Sequence, residues 1–355
     1  MRLPTLRIGD LTIPTPIIQG GMGVRVSGAR LASAVANEGC AGMIASAGIA
    51  HYELYSGKHF VEMNDLALKE EIQKARSLSS GVIGVNIMVA LSNYANLVKV
   101  AVENKVSMIV SGAGLPLELP GLVQDAQVKL VPIVSSARAL RIICTKWLRA
   151  HNRLPDAVVV EGPQAGGHLG FSHAEMGAET QPSLEKLVAE TVAVANSYER
   201  PMPVIAAGGI YDGADISRFL KLGASGVQMA TRFVCTEECD VDDAFKNAYL
   251  QAKEEDVMVI HSPVGMPARV IRNAFVERIL RGETVPFKCE YRCLRSCDPK
   301  TAPFCIAKAL ANAAAGKLED AFAFAGSKVR RCAEIVSVKK LVSQLVAEAS
   351  ACYDA

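Results

Sequence analysis

The sequence predicts an α/β protein, a (β/α)8 TIM barrel carrying a mostly helical cap inserted after its eighth strand. Three observations predict it. Short apolar runs alternate with helical stretches as far as Arg232, the runs number eight, and the glycine-rich and polar residues fall just after them. Such positions are the C-terminal ends of parallel strands, where barrels of this kind place their active sites.

The runs are Pro16–Gln19, Ala41–Ala45, Val82–Asn86, Ser107–Val110, Lys129–Val134, Ala157–Glu161, Pro203–Ala207 and Gly226–Met229. Each is nearly continuous in apolar character, as strands buried on both faces should be. Between them lie segments with helical spacing: Gly28–Glu38, Asn64–Ser77, Asn93–Asn104, Ala137–Ala150, Ser183–Asn196 and Gly213–Leu222. An open doubly wound sheet gives the same local alternation, and the count of eight favours the closed barrel. Lys129 opens its strand at the N-terminal end, which assigns it to the bottom of the barrel.

After Arg232 the rhythm stops. Residues 236–281 read as mostly helical, with Asp242–Lys253 and Ala268–Leu280 the best-defined stretches. A cysteine-rich segment at 289–305 and an alanine-rich helix at Ile306–Ala315 follow, and the amphipathic Val338–Ala349 suits the barrel's last helix. The expected division is therefore a barrel of residues 1–235 plus 331–355, with 236–330 forming a cap over its mouth.

Composition narrows the function classes. With 38 basic against 36 acidic side chains the net charge is only +2, which argues against nucleic acid as a partner. No apolar run of about 18 residues occurs, so no membrane span is expected. The start, Met1-Arg2-Leu3-Pro4, lacks an apolar leader, so a cytoplasmic location is expected. Ten cysteines then read as reduced thiols or metal ligands rather than disulfides.

Four stretches carry the chemistry. Gly208-Gly209 and Ala230-Thr231 follow the seventh and eighth runs, so two adjacent loops can converge on a phosphate that bare backbone N–H groups approach closely. Gly20-Gly21-Met22 follows the first run and lacks the remaining spacing of a dinucleotide fingerprint, so it suits contact with a flat ring instead. Glu161, a candidate cofactor contact, begins a loop in which Gly166-Gly167 precede His168 at the mouth. An imidazole there can donate to a ring carbonyl, hold an anion or remove a proton. His173, close by, reads as a surface residue. Asn86 and Ser111, at the ends of the third and fourth strands, could hydrogen-bond a ring edge or merely cap turns.

Residues 16–23, 161–170, 203–210 and 226–233 together resemble the nitronate monooxygenase (2-nitropropane dioxygenase) family, whose superfamily also contains flavin-dependent enoyl-[acyl carrier protein] reductases. The resemblance implies FMN bound without covalent linkage. Gly20, Gly21, Met22, Asn86, Gly166 and Gly167 would lie around the ring, and Gly208, Gly209, Ala230 and Thr231 would hold the phosphate. His168 would be the active-site histidine. The leading expectation is oxidation of alkyl nitronates with O2 to carbonyl compounds and nitrite. The alternative is NAD(P)H-dependent reduction of enoyl thioesters or quinones. The substrate is a small molecule either way, and a homodimer is expected because exposed barrel helices commonly pair.

Cys289, Cys293, Cys297 and Cys305, spaced C-x3-C-x3-C-x7-C, depart from the plainest members of that family. Four thiolates could hold a [4Fe–4S] cluster, although the spacing is not that of ferredoxins. The lack of a C-x2-C pair lowers the case for structural zinc. Buried structural thiols sharing a helix face would look the same.

Overall fold

The computed structural model describes residues 3–51, 58–123, 127–177, 181–289 and 292–354, so Glu290 and Tyr291 of the cysteine-rich segment lie outside the described residues. A hairpin of β1 (Leu6–Ile8) and β2 (Leu11–Ile13) precedes β3 (Ile17–Gln19), α1 (Ala29–Asn37), β4 (Ala41–Ala45), α2 (Phe60–Leu78) and β5 (Val82–Met88). The chain continues with α3 (Tyr94–Glu103), β6 (Met108–Gly112), the short α4 (Leu119–Leu122), β7 (Lys129–Val134), α5 (Ala137–His151) and β8 (Val158–Glu161). Then come the two-residue β9 (Gly167–His168), the short α6 (His173–Met176), α7 (Leu184–Ala195), β10 (Val204–Ala207), α8 (Gly213–Lys221) and β11 (Gly226–Met229).

β3 to β8, β10 and β11 close into one parallel barrel, in the order β10-β11-β3-β4-β5-β6-β7-β8. These are the eight strands that the apolar runs predict, with ends moved by one or two residues. Their side chains alternate between two buried environments. Ile18, Met43, Val110, Val131, Val159 and Ile205 fill the interior, while Ile17, Ile44, Ile109, Leu130, Val158 and Val204 face the helices. Both faces are apolar, which is why the runs read as continuous rather than alternating.

The β1–β2 hairpin was not visible in the sequence pattern. Its Leu6, Ile8 and Ile13 join the interior cluster and plug the barrel's N-terminal end. Lys129 pairs there with Asp10, at the bottom as its position in the strand predicts.

Past β11 lie α9 (Thr231–Val234), α10 (Asp243–Gln251), β12 (Val257–His261), β13 (Pro267–Ile271), α11 (Ala274–Leu280), α12 (Ile306–Ala314) and α13 (Val338–Asp354). One expectation fails here: Ala268–Leu280 is not a single helix. Pro267–Ile271 is a fully buried strand paired with both β12 and β9, and the helix begins only after Asn273, whose side chain accepts the Val276 N–H at 3.0 Å. A proline-led run ending in Val270-Ile271 fits a strand, and asparagine is a preferred helix cap, so the break was marked in the sequence. α13 packs on α8 and α1, and its Glu348 carboxylate accepts the Gly213 N–H at 2.9 Å. It is the barrel's eighth helix.

Ile205, fully buried inside the barrel, should cost about 2–5 kcal/mol when cut to alanine. Val61, exposed on α2, should cost under about 0.5 kcal/mol for the same change. Denaturant midpoints at constant m-value measure both; equal small losses would contradict the interior assignment.

Candidate active site

A cavity of about 280 Å³ opens at the C-terminal ends of the barrel strands. Gly20, Gly21 and Met22 after β3, Asn86 in β5, Glu161 at the end of β8, Gly166 to His168, Gly208-Gly209 after β10 and Ala230-Thr231 after β11 all line it. Segments far apart in sequence thus meet because barrel closure brings every strand end to one rim. Ser111 is the exception among the residues singled out from sequence. It is fully buried outside the lining, where its hydroxyl donates to the Ile87 carbonyl at 2.9 Å and lies 2.9 Å from the Tyr94 hydroxyl. A strand-end serine with two partners inside the protein has been used as a turn and packing group.

The loop after β8 is held from outside the barrel. The Arg269 guanidinium, buried, donates to the Pro163 and Ala165 carbonyls at 2.6 Å each. The Arg269 backbone pairs with Gly167, and Ala268 pairs with His168. The loop is therefore clamped by β13 through backbone and side chain together. His168 Nε2 lies 2.7 Å from Ser262 Oγ, and its ring meets Phe324 edge-on at 5.1 Å between centroids. Tyr249 in turn donates its hydroxyl to the Phe324 carbonyl. His173 stacks on His261 with centroids 3.3 Å apart.

Burial tunes the two titratable groups at the rim. The protein around His168 pushes its imidazole down to about 4, so the ring is neutral at ordinary pH. The same desolvation pushes the Glu161 carboxyl up to about 7; among the described residues it has no hydrogen-bond or ion-pair partner. A neutral imidazole can donate from one nitrogen or accept at the other, and Ser262 occupies one of the two.

The lining fits a flat heteroaromatic ring with a phosphate tail. Gln228, whose side chain lies over Gly20, also lines the cavity, and its Oε1 is buried without a partner. A buried amide oxygen left unsatisfied by the protein points to a donor supplied by a ligand. Gly208 and Gly209 both adopt left-handed backbone, with φ of 88° and 90°, and a Cβ on Gly208 would lie 2.7 Å from the Gly162 carbonyl. Only glycine lets this turn nest against its neighbour while presenting backbone to the cavity. Residues from beyond the eighth strand close the space from above, among them Phe245, Tyr249, Cys293, Leu310 and Phe324.

Gln228, Ser262, Arg269 and Phe324 were missed from the sequence. A glutamine in the middle of a buried strand was a readable signal. The other three come from a distant segment, where nothing local links them to His168.

The thiols of Cys289, Cys293, Cys297 and Cys305 are free and half-buried. Burial and the neighbouring Cys305, Cys289 and Cys297 push the Cys293 thiol up to about 12. Among the described residues, no three His, Cys, Asp or Glu side chains close around a single metal ion. Among the described residues, too, no helix is long and apolar enough to cross a membrane.

Comparison with known proteins agrees with this geometry. The chain is 32% identical over 282 residues to a (3aS,4S,5R,7aS)-5-hydroxy-7a-methyl-1-oxo-octahydro-1H-indene-4-carboxyl-CoA dehydrogenase of Mycobacterium tuberculosis, covering 79% of this chain and 70% of that one. It is 26% identical over 305 residues to a probable nitronate monooxygenase of Staphylococcus saprophyticus, covering 79% and 81%. Among solved structures, FabK from Thermotoga maritima superposes with a TM-score of 0.75 at 29% identity, over 96% of this chain and 94% of that one. A nitroalkane oxidase from Streptomyces ansochromogenes shares the fold, with a TM-score of 0.76 at 22% identity over 96% and 97%. The sequence pattern of the family described as nitronate monooxygenase matches residues 5–348, nearly the whole chain, and the protein is an oxidoreductase belonging to that family.

Proposed function

We propose that the protein is an FMN-dependent nitronate monooxygenase, oxidising alkyl nitronates with O2 to carbonyl compounds and nitrite. The observation that carries this reading is His168, desolvated and held by Ser262 at the rim of a cavity whose lining leaves two polar groups without a protein partner among the described residues, the Glu161 carboxyl and Gln228 Oε1. Gly208, Gly209, Ala230 and Thr231 would hold the phosphate, Gly20 to Met22 and Gly166-Gly167 would face the ring, and Asn86 and Gln228 would meet its polar edge. When bound, the flavin supplies the electron acceptor and the route to O2.

The chain's own residues do the rest. His168, oriented by Ser262, donates a hydrogen bond to the nitronate oxygens in one neutral tautomer. In the other it accepts the proton of a neutral nitroalkane. Phe324 fixes the ring's tilt, and the apolar cover excludes water from the carbanion. Both roles require the uncharged imidazole.

A second reading has support of its own. The relative at 32% identity is named for a CoA thioester substrate, and FabK is similar at 29%. These favour an oxidoreductase of acyl thioesters using NAD(P)H. Rapid anaerobic bleaching of the bound flavin by NADH or NADPH would select it, whereas indifference to both would leave the oxygen-dependent reaction.

Purified protein given propionate 3-nitronate or 2-nitropropane in air should release nitrite, with no nicotinamide consumed. Turnover without nitrite would contradict the proposal. His168→Asn should lower kcat by about 10² to 10⁴ while retaining flavin, the range for loss of a proton-transfer group. An unchanged kcat would remove His168 from the chemistry. Because burial lowers the imidazole's pKa, the base form persists down to about 4. With neutral nitroalkanes the acid limb of kcat/KM should therefore fall near 4, and a limb near the ordinary value of 6.5 would show the ring to be solvated.

A further inference from the structure

Nine of the ten cysteines fall into two populations, and the tenth, Cys352, is exposed. Cys40, Cys144, Cys235, Cys239 and Cys332 are buried within the packed core, as structural thiols are. Cys289, Cys293, Cys297 and Cys305 are half-buried and fall within the one stretch 289–305. Cys293 and Cys297 pack against the edge of the core, but none of the four is buried within it.

The segment that carries them is fixed to the rim of the cavity. The Cys293 carbonyl accepts the Ser92 N–H at 3.1 Å, the Arg295 N–H donates to the Ala90 carbonyl at 2.9 Å, and Leu294 bridges to Leu91. Cys293 itself lines the cavity. The Arg292 N–H already donates to Cys289 Sγ at 3.4 Å, and Cys305 stands at the N-cap position of α12, its thiol making no cap hydrogen bond. Amide N–H groups directed at sulfur are how proteins stabilise thiolate-bound clusters. Lys288, Arg292, Arg295, Lys300 and Lys308 outweigh Glu290 and Asp298 over this stretch, which suits an anionic centre.

We infer that Cys289, Cys293, Cys297 and Cys305 hold a [4Fe–4S] cluster beside the flavin cavity. A single zinc ion fits less well. Zinc draws its four thiolates to one point and undergoes no redox change, so it would add nothing to the electron chemistry of the neighbouring cavity. A four-iron cube instead presents its irons at separate corners, so its thiolates stay further apart. The site would set a one-electron centre next to a two-electron cofactor. It depends on neither the nitronate nor the thioester reading.

The full chain, isolated without oxygen, should carry about four iron and about four acid-labile sulfide per polypeptide. Dithionite should then produce the low-temperature paramagnetic signal of a reduced cluster. Cys297→Ser should remove most of the iron while flavin content stays at the wild-type level, and Cys352→Ser, at an exposed position, should change neither. A further measurement needs no variant: rebuilding metal-free wild-type protein with ferrous iron and sulfide should hide about four previously reactive thiols from a disulfide reagent. Rebuilt protein that gains neither iron nor sulfide and keeps those thiols reactive would overturn the inference. So would one zinc per chain without sulfide.

Discussion

Closure of the parallel sheet is the constraint on which everything else in this molecule depends. Strands that are apolar on both faces cannot leave an edge in water, and eight of them satisfy one another only as a ring. Once Ile18, Met43, Val159 and Ile205 fill the interior, the direction of every strand is shared, and every C-terminal end arrives at the same rim. Gly21, Asn86, His168, Gly208 and Thr231 are neighbours for this reason alone. None needs a local propensity to be there.

The rim would be soft without a second layer. The loop between β8 and α6 carries His168 on a glycine-rich backbone, and glycines are poor at holding a side chain in place. The segment beyond the eighth strand supplies the missing rigidity. β13 pairs with Gly167 and His168, Arg269 gathers the Pro163 and Ala165 carbonyls, and Ser262 takes one imidazole nitrogen. A buried guanidinium is costly unless its donors are satisfied. Two carbonyls of the active-site loop satisfy part of that need, so the loop's conformation and the charge's burial are linked. The same enclosure desolvates His168 and keeps it neutral.

How much of this could be read from the sequence follows from the range of each interaction. Strand and barrel helix positions rest on local patterning, and they were legible: β4 and β7 lie where the apolar runs put them. The lining glycines and His168 were legible because strand ends in a barrel are known places. The β1–β2 hairpin was not, since three-residue strands carry too little periodicity. Ala268–Leu280 was misread because β-branched residues at Val270 and Ile271 were averaged into a helical window. Ser111 was placed at the site because a strand-end serine looks the same whether it faces a ligand or, as here, Ile87 and Tyr94. Ser262 and Arg269 reach the site through tertiary pairing across about a hundred residues, for which a single sequence holds no signal.

The central claim is that the rim loops clasp a flavin mononucleotide, and the flavin itself tests it most directly. Heat-denatured, clarified protein should release a noncovalent yellow cofactor that co-elutes with riboflavin 5′-phosphate, at one per chain. A colourless protein that binds no added riboflavin 5′-phosphate, or one that releases only the dinucleotide form, would contradict the account.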